Sequence, residues 1–286
     1  MKNDSLYSLK LALCSDDDVT ISSTNGRQAQ ALFLNLVGQF DSALSARLHD
    51  EPGYRPYTVA RVIGGTRVGE RFALGRGEHC HLRITLLDGG VLWQKLCQYF
   101  LESGPVHVKL GESALQLVNI LSSPVSDPQG WVNSVDWRTL FTLPARRSIT
   151  MHFASPTAFS WGNRRYVLFP QPFLLWENLL HAWNRNAPEC YRIEKQGLRK
   201  SLMNDVRVTR CSLVTRVLHF PNFSQKGFVG VCTYAIQGSN DFAKLLTTLA
   251  AFSYYAGAGS KTTMGMGQVR VTFDDRASEV PVLHDA

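Results

Sequence analysis

One series of elements runs through this chain twice: strand, helix, two strands, helix, strand. Residues 6–13 read as a strand closed by the turn-forming cluster at 15–18. Across 27–48 the apolar residues Phe33, Leu36, Val37, Phe40, Leu44 and Leu48 recur at helical spacing, which predicts one long amphipathic helix ended by Pro52 and Pro56. Segments 57–63 and 81–87 are expected strands, 91–101 a helix stopped by Gly104 and Pro105, and 106–110 a further strand. Beyond a loop rich in Ser, Pro and Trp at 122–137, the order restarts. Strand 148–153, helix 173–183, a hairpin of 206–220 with 227–236, helix 242–255 and strand 268–273 complete it. Phe242, Leu245, Leu246, Leu249 and Phe252 form the clearest apolar stripe, with Ser239 or Asn240 to cap its start and Gly257 at its end.

Two such units in series predict an α+β protein of two tandem ferredoxin-like domains, residues 1–143 and 144–286, an architecture related to the RNA-reading RRM. The fold alone does not assign a function. An aromatic-rich RRM strand is matched only at its beginning, by Lys226-Gly227-Phe228-Val229-Gly230. With 286 residues, 44% of them hydrophobic, the chain has enough apolar material for a core in each domain. Neither a signal-like start nor a run of about 18 apolar residues is seen, so no membrane association is expected. Six scattered cysteines without a C-x-x-C pair argue against a disulfide framework or zinc ribbon and fit a reducing cytoplasm.

Charge is uneven along the chain. Residues 146–286 hold 17 Lys/Arg against 9 Asp/Glu, whereas residues 1–145 hold 13 against 14, so the net charge of +7 belongs to the second half. A basic domain points to a polyanion, with nucleic acid ahead of membrane, or to a face kept basic for solubility. In that half lies A-G-A-G-S-K-T-T-M-G-M-G (256–267), between the striped helix and the last strand. Gly257, Gly259, Gly265 and Gly267 permit positive φ and the close approach of a phosphate to backbone N–H groups, and Lys261 adds a point charge. A P-loop is excluded because Ser260 precedes the lysine and the helix comes before the loop. A dinucleotide fingerprint fails at Thr262, where glycine is required. A plain flexible connection is the other reading of this segment.

Several segments together resemble one family. K-G-F-V-G (226–230), A-F-S-Y-Y-A-G-A-G (251–259), K-T-T-M-G-M-G-Q-V (261–269) and F-A-S-P-T-A-F (153–159) are similar to the C-terminal signature of the CRISPR-associated repeat-cleaving endoribonucleases of the RAMP superfamily. H-D-E-P-G-Y-R-P-Y-T (49–58) extends the likeness to the first half. This resemblance implies an enzyme that binds the repeat of a precursor CRISPR RNA and cuts it once. No metal or other cofactor is expected: a ribose 2′-OH attacks the neighbouring phosphate, leaving a 2′,3′-cyclic phosphate and a 5′-OH. Further subunits of a CRISPR effector complex are possible partners, and monomer and homodimer both stay open.

Many members carry a histidine just after the first long helix, and here that position is His49. A histidine suits either proton transfer in such a reaction, although at a helix C-terminus it is equally suited to the dipole alone. Arg55 stands where relatives often have lysine; it can clamp a phosphate but cannot act as the general acid. Some members use a tyrosine. Tyr54 enters as that candidate and Tyr57 lies close by, with packing as the other reading of both. For RNA contact the expected residues are the four loop glycines, Lys261, Ser155, Thr157, Arg164, Arg165, Arg199 and Lys200, the last two in a basic run (191–204) that is either a segment ordering on RNA or a solvated loop. His79 and His81 share a strand face that Cys80 leaves, which favours structure over a metal cluster. Two rival readings are a non-catalytic RAMP subunit that binds guide RNA and, more remotely, a nucleotide-binding enzyme using the glycine loop.

Overall fold

The computed structural model describes residues 4–50, 55–88, 90–162, 165–194, 196–220 and 223–273. In the first half, strands run in the order Tyr57–Val59, His79–Leu86, Ser5–Ser15, Ser113–Leu121, Val106–Leu110, every neighbouring pair antiparallel. The second half repeats the scheme in its four-stranded form: Val206–Phe220, Phe223–Ile236, Ser148–Thr157, Val269–Phe273. Helices Gly26–Phe40 and Val91–Glu102 pack on the first sheet, and Pro172–Asn186 and Asn240–Ala256 on the second. This is the tandem ferredoxin-like fold.

One strand was not expected, and two local expectations need correcting. The strand beside Ser5–Ser15 is Ser113–Leu121, and Val106–Leu110 is added outside it through a tight turn at Gly111 (φ 63°). The helix expected over 27–48 is two helices, Gly26–Phe40 and Ser42–Asp50. Asp41 breaks it: its backbone leaves helical geometry, and its carboxylate accepts from the Leu44 N–H (2.8 Å) and pairs with Lys95 (2.5 Å). Ser45 then donates to the Leu34 carbonyl (2.7 Å), folding the second helix back on the first. Finally, the basic run holds a helix, Leu198–Asp205, anchored by the buried Leu198 and Leu202. An extra three-stranded sheet of Val19–Ser22, Arg71–Leu74 and Thr66–Val68 stands apart in the first half.

The second-half core is built on aromatic contacts. Trp183 meets Trp137 (4.9 Å between ring centres) and Phe252 (5.2 Å) edge-on, and Trp176 meets Tyr234 in the same way (4.8 Å). Trp137 belongs to helix Trp137–Phe141, capped by the Asp136 carboxylate, so the end of the expected loop plugs this core.

The two halves meet around Arg83. From strand His79–Leu86 its guanidinium donates to the Tyr254 carbonyl at the end of helix Asn240–Ala256 (2.6 Å), to Ser8 Oγ (2.9 Å) and to Gln268 Oε1. The rings of Trp131 (4.5 Å) and Tyr254 (4.8 Å) flank it. Two residues on, Thr85 Oγ1 donates to the Tyr255 carbonyl (2.6 Å). A cation and a hydroxyl from one half thus each satisfy a helix-terminal carbonyl of the other, where the helix dipole favours positive charge. Burial lowers the Arg83 pKa to about 10, which still leaves it charged at neutral pH.

The glycine loop closes the joint on its other side. Gly265 N–H donates to the Val59 carbonyl (2.9 Å), and a Cβ on Gly26 would fall 2.0 Å from the Met264 carbonyl oxygen, so helix Gly26–Phe40 begins flush against the loop. At Gly259 (φ 82°) a Cβ would meet the Ala158 oxygen at 2.5 Å, whereas Gly77 has a similar φ (79°) with nothing within 4 Å. The two separate conformational cost from packing cost. Gly77→Ala is expected to lower stability by about 1 kcal/mol, and Gly259→Ala by about 3 kcal/mol, because overpacking against backbone adds to the strain. Urea unfolding of both variants checks this; equal losses would mean that the loop is not tightly seated.

Candidate active site and nucleic-acid interface

Helix Ser42–Asp50 ends in the candidate histidine. His49 is exposed, its side chain 71% accessible, and its Nδ1 lies 2.6 Å from Asp50 Oδ1. A carboxylate at that distance favours the tautomer with hydrogen on Nδ1, which leaves Nε2 as the proton acceptor. Arg55 Nη2 donates to the His49 carbonyl (2.8 Å), tying together the two ends of the segment that connects them. Asp50 was not among the expected residues, and the signal that marks it is adjacency to His49. Tyr54 lies outside the described residues. The shallow depression beside His49 is lined by Asn35, Gln39, Ser42 and Ser45.

A chain of contacts runs from this corner to the glycine loop. Arg55 acts electrostatically on Tyr57, whose hydroxyl accepts from Gln30 Nε2 (3.3 Å), and the same amide reaches Thr263 Oγ1 (3.2 Å). Tyr57 is buried against Phe33 (5.0 Å), and burial raises its pKa, opposed by the Gln30 bond and by Arg55. It is a neutral packing residue, the alternative held open for it. The candidate histidine and the loop therefore border one wall, formed by helix Gly26–Phe40 and strand Tyr57–Val59.

The loop does not offer its glycine amides to a ligand. All four glycines adopt positive φ as expected, yet each N–H is used within the chain: Gly257 to Ser253 O (2.8 Å), Gly259 to Asn178 Oδ1 (2.8 Å), Gly265 to Val59 O (2.9 Å) and Gly267 to Pro156 O (3.1 Å). The glycines are there for close packing, which corrects the expectation of a backbone phosphate cradle. Thr157 is corrected too: it is fully buried and donates to the Ser155 carbonyl (3.0 Å). Ser155, also buried, accepts from the Gln268 N–H (2.9 Å) and lies at the wall of a pocket. Both residues brace the loop.

The basic side chains divide differently. Lys261 keeps its ammonium at the surface of the joint, 2.8 Å from Gln225 Oε1 and 3.2 Å from Tyr166 Oη. Arg165 is exposed on the short hairpin Phe159–Ser160 with Tyr166–Val167, while Arg164 lies outside the described residues. Arg199 is engaged by the Glu177 carboxylate (2.6 and 2.5 Å), and Lys200 lies beside it in a separate depression with His181. These two are not joined to the glycine loop.

Sequence reading missed the cleft between the sheets. A groove of about 500 Å³ is lined by Arg61, Arg67, Arg216 and His219, with Glu70 as its acid. Arg61 and Ala154 join it to a pocket of about 310 Å³ lined by Lys10, His81, Trp131 and Gln268. Burial pulls the His81 pKa down, helped by Lys10 and His79, so its ring is neutral near pH 7. His79 and His81 do share the face opposite the buried Cys80. Gln268 Nε2 is buried without a hydrogen-bond partner among the described residues. None of these cations was singled out in sequence as an RNA contact; only the facing of separate sheets brings them together.

Comparison with known proteins places the whole arrangement. The family model for the Cas6 N-terminal domain matches residues 6–142, and that for the CRISPR-associated endoribonuclease Cas6 matches residues 151–269. The curated endoribonuclease Cas6 of Mycobacterium tuberculosis is 28% identical over 138 residues, covering 47% of this chain and 42% of that protein. Its counterpart from Streptococcus thermophilus is 28% identical over 119 residues, 42% of this chain and 48% of that protein, so the matched segment spans about half the length of these relatives or less. A Thermus thermophilus Cas6 solved as a product complex superposes with a TM-score of 0.77 at 25% identity, covering 94% of this chain and all of its own. A second Cas6 product complex reaches 0.71 at 25% identity over 94% of this chain. Matching on both halves, and sharing one fold with solved members across almost its full length, the chain belongs to the Cas6 family of CRISPR-associated endoribonucleases.

Proposed function

We propose that this protein binds the repeat of a precursor CRISPR RNA and cleaves it once by attack of a ribose 2′-OH on the adjacent phosphate. The observation that carries the reading is a histidine oriented by a carboxylate with an arginine bonded to its backbone, on a helix pair whose first member also packs against a glycine loop with a fixed lysine. Family membership supports the same chemistry.

In this reading His49 Nε2 takes the proton of the attacking 2′-OH or supplies the one the departing 5′-oxygen needs, with solvent water handling the other, and Asp50 holds the ring. The Arg55 guanidinium supplies positive charge to the non-bridging oxygens and does not exchange protons. The 2′-OH attacks in line with the departing 5′-oxygen; the O–P bond to the 5′-oxygen breaks as the 2′-O–P bond forms, and the products are a 2′,3′-cyclic phosphate and a 5′-OH. No metal ligand set enters this scheme. The basic groove and the pocket between the sheets extend the RNA-binding face, with Arg61 at their junction. A non-catalytic guide-RNA-binding role is the alternative that removal of the histidine distinguishes.

His49→Ala is expected to slow repeat cleavage by roughly 10²- to 10⁴-fold while repeat affinity, measured by fluorescence anisotropy, stays within about threefold. Equal cleavage by the variant would remove His49 from the chemistry. Lys261→Ala is expected to weaken repeat binding and to lower the slope of log affinity against log salt by about 0.7 to 0.9. A salt titration superimposable on the wild type would exclude the glycine loop from the interface.

A further inference from the structure

Lys261 is the only described non-glycine residue with positive φ (59°). A left-handed lysine costs about 1–2 kcal/mol relative to ordinary geometry. Glycine would take this backbone freely, in a segment that already holds four. Strain retained under those conditions points to work done by the side chain.

That side chain is held more firmly than a lysine at a rim requires. Its ammonium donates to Gln225 Oε1 (2.8 Å) and Tyr166 Oη (3.2 Å) and lies over the rings of Tyr166 (4.9 Å) and Phe223 (5.0 Å). Gln225 is only 5% exposed, and its own amide nitrogen donates to the Lys226 carbonyl (3.0 Å), so the acceptor cannot turn away. Three separate pieces converge here: the glycine loop, the short hairpin ending in Tyr166–Val167, and the start of strand Phe223–Ile236. Tyr166 and Phe223 are each more than a third exposed, so the ammonium borders solvent.

We propose that Gln225 and Tyr166 are positioning residues that turn Lys261 into a preorganised site for one phosphodiester of the bound RNA. An ammonium has three N–H donors, and two are taken by these neighbours. The third serves a phosphate oxygen, and the Tyr166 hydroxyl, accepting from Lys261, keeps its own hydrogen to donate to the same group. The two rings fix the ammonium without competing for hydrogen bonds. Charge placed in advance in this way loses little freedom on binding. The proposal rests on the RNA reading above and names which residues give the loop its phosphate contact, a role its glycine amides do not fill.

Gln225→Glu separates positioning from mere support. A carboxylate keeps the acceptor and holds Lys261 at least as tightly, so a purely structural role predicts unchanged or higher stability and unchanged RNA binding. The proposed role predicts that the new charge neutralises the site. Anisotropy with a labelled repeat RNA, 2′-deoxy at the cut site to prevent turnover, is then expected to show about tenfold weaker binding and a salt slope reduced to that of Lys261→Ala. In the Lys261→Ala background the same change should have no further effect. Tyr166→Phe, which removes only the hydroxyl, should weaken binding about two- to fivefold with unfolding unchanged, and serves if Gln225→Glu proves unstable. Wild-type affinity and slope in both variants, with Lys261→Ala weakened, would overturn the positioning role and leave the loop as an RNA contact. Wild-type behaviour in Lys261→Ala as well would instead remove the RNA reading of the loop.

Discussion

A buried arginine at the end of another domain's helix is the contact on which the rest of this molecule depends. Arg83 is removed from water, a cost of several kcal/mol for an unpaired ion, and among the described residues no carboxylate is a hydrogen-bond partner. Its compensation comes from the Tyr254 carbonyl, the helix dipole behind it, the Ser8 and Gln268 side chains and two aromatic faces. Ser8 and Trp131 come from its own half, Tyr254 and Gln268 from the other, so the set is complete only where the two halves meet. The same joint seats helix Gly26–Phe40 against Met264 and bonds Gly265 to Val59, so the loop of the second half packs directly on elements of the first.

This arrangement changes what the glycines are for. Four residues at positive φ look in sequence like a phosphate cradle, since both roles demand the absence of Cβ. The difference lies in where the amides point, and that depends on the S-P-T segment and on Asn178, elements far away in the chain. What the loop presents outward is one lysine, held in a strained backbone by residues of two hairpins. Close packing supplies the rigidity, and the proposed contact falls to the charged side chain.

Legibility followed locality. The twice-repeated element order, the stripe of helix Asn240–Ala256 with its Ser239 cap, and the hairpin Val206–Phe220 with Phe223–Ile236 were all readable, because each rests on periodicity or capping within a short window. Asp41 was not readable as a helix break, since its effect needs Lys95 and a folded-back second helix. Thr157 sat in a motif associated with RNA and proved to be core. Arg83, Arg61 and Gln268 fell in expected strands without being singled out, and a single sequence does not reveal that two sheets face each other. His49 is a candidate through family resemblance, whereas its neighbour Asp50 required geometry.

The central claim is that a histidine-centred site at the end of helix Ser42–Asp50 drives 2′-OH attack on a repeat phosphodiester. The most direct measurement is cleavage of the cognate repeat in EDTA, comparing an all-ribose strand with one carrying a single 2′-deoxy substitution at the cut site, followed by end-group analysis. Cleavage of the ribose strand alone, with 2′,3′-cyclic phosphate and 5′-OH ends, is the predicted result. Cleavage of the deoxy strand at a similar rate, or a strict requirement for Mg²⁺, would contradict it.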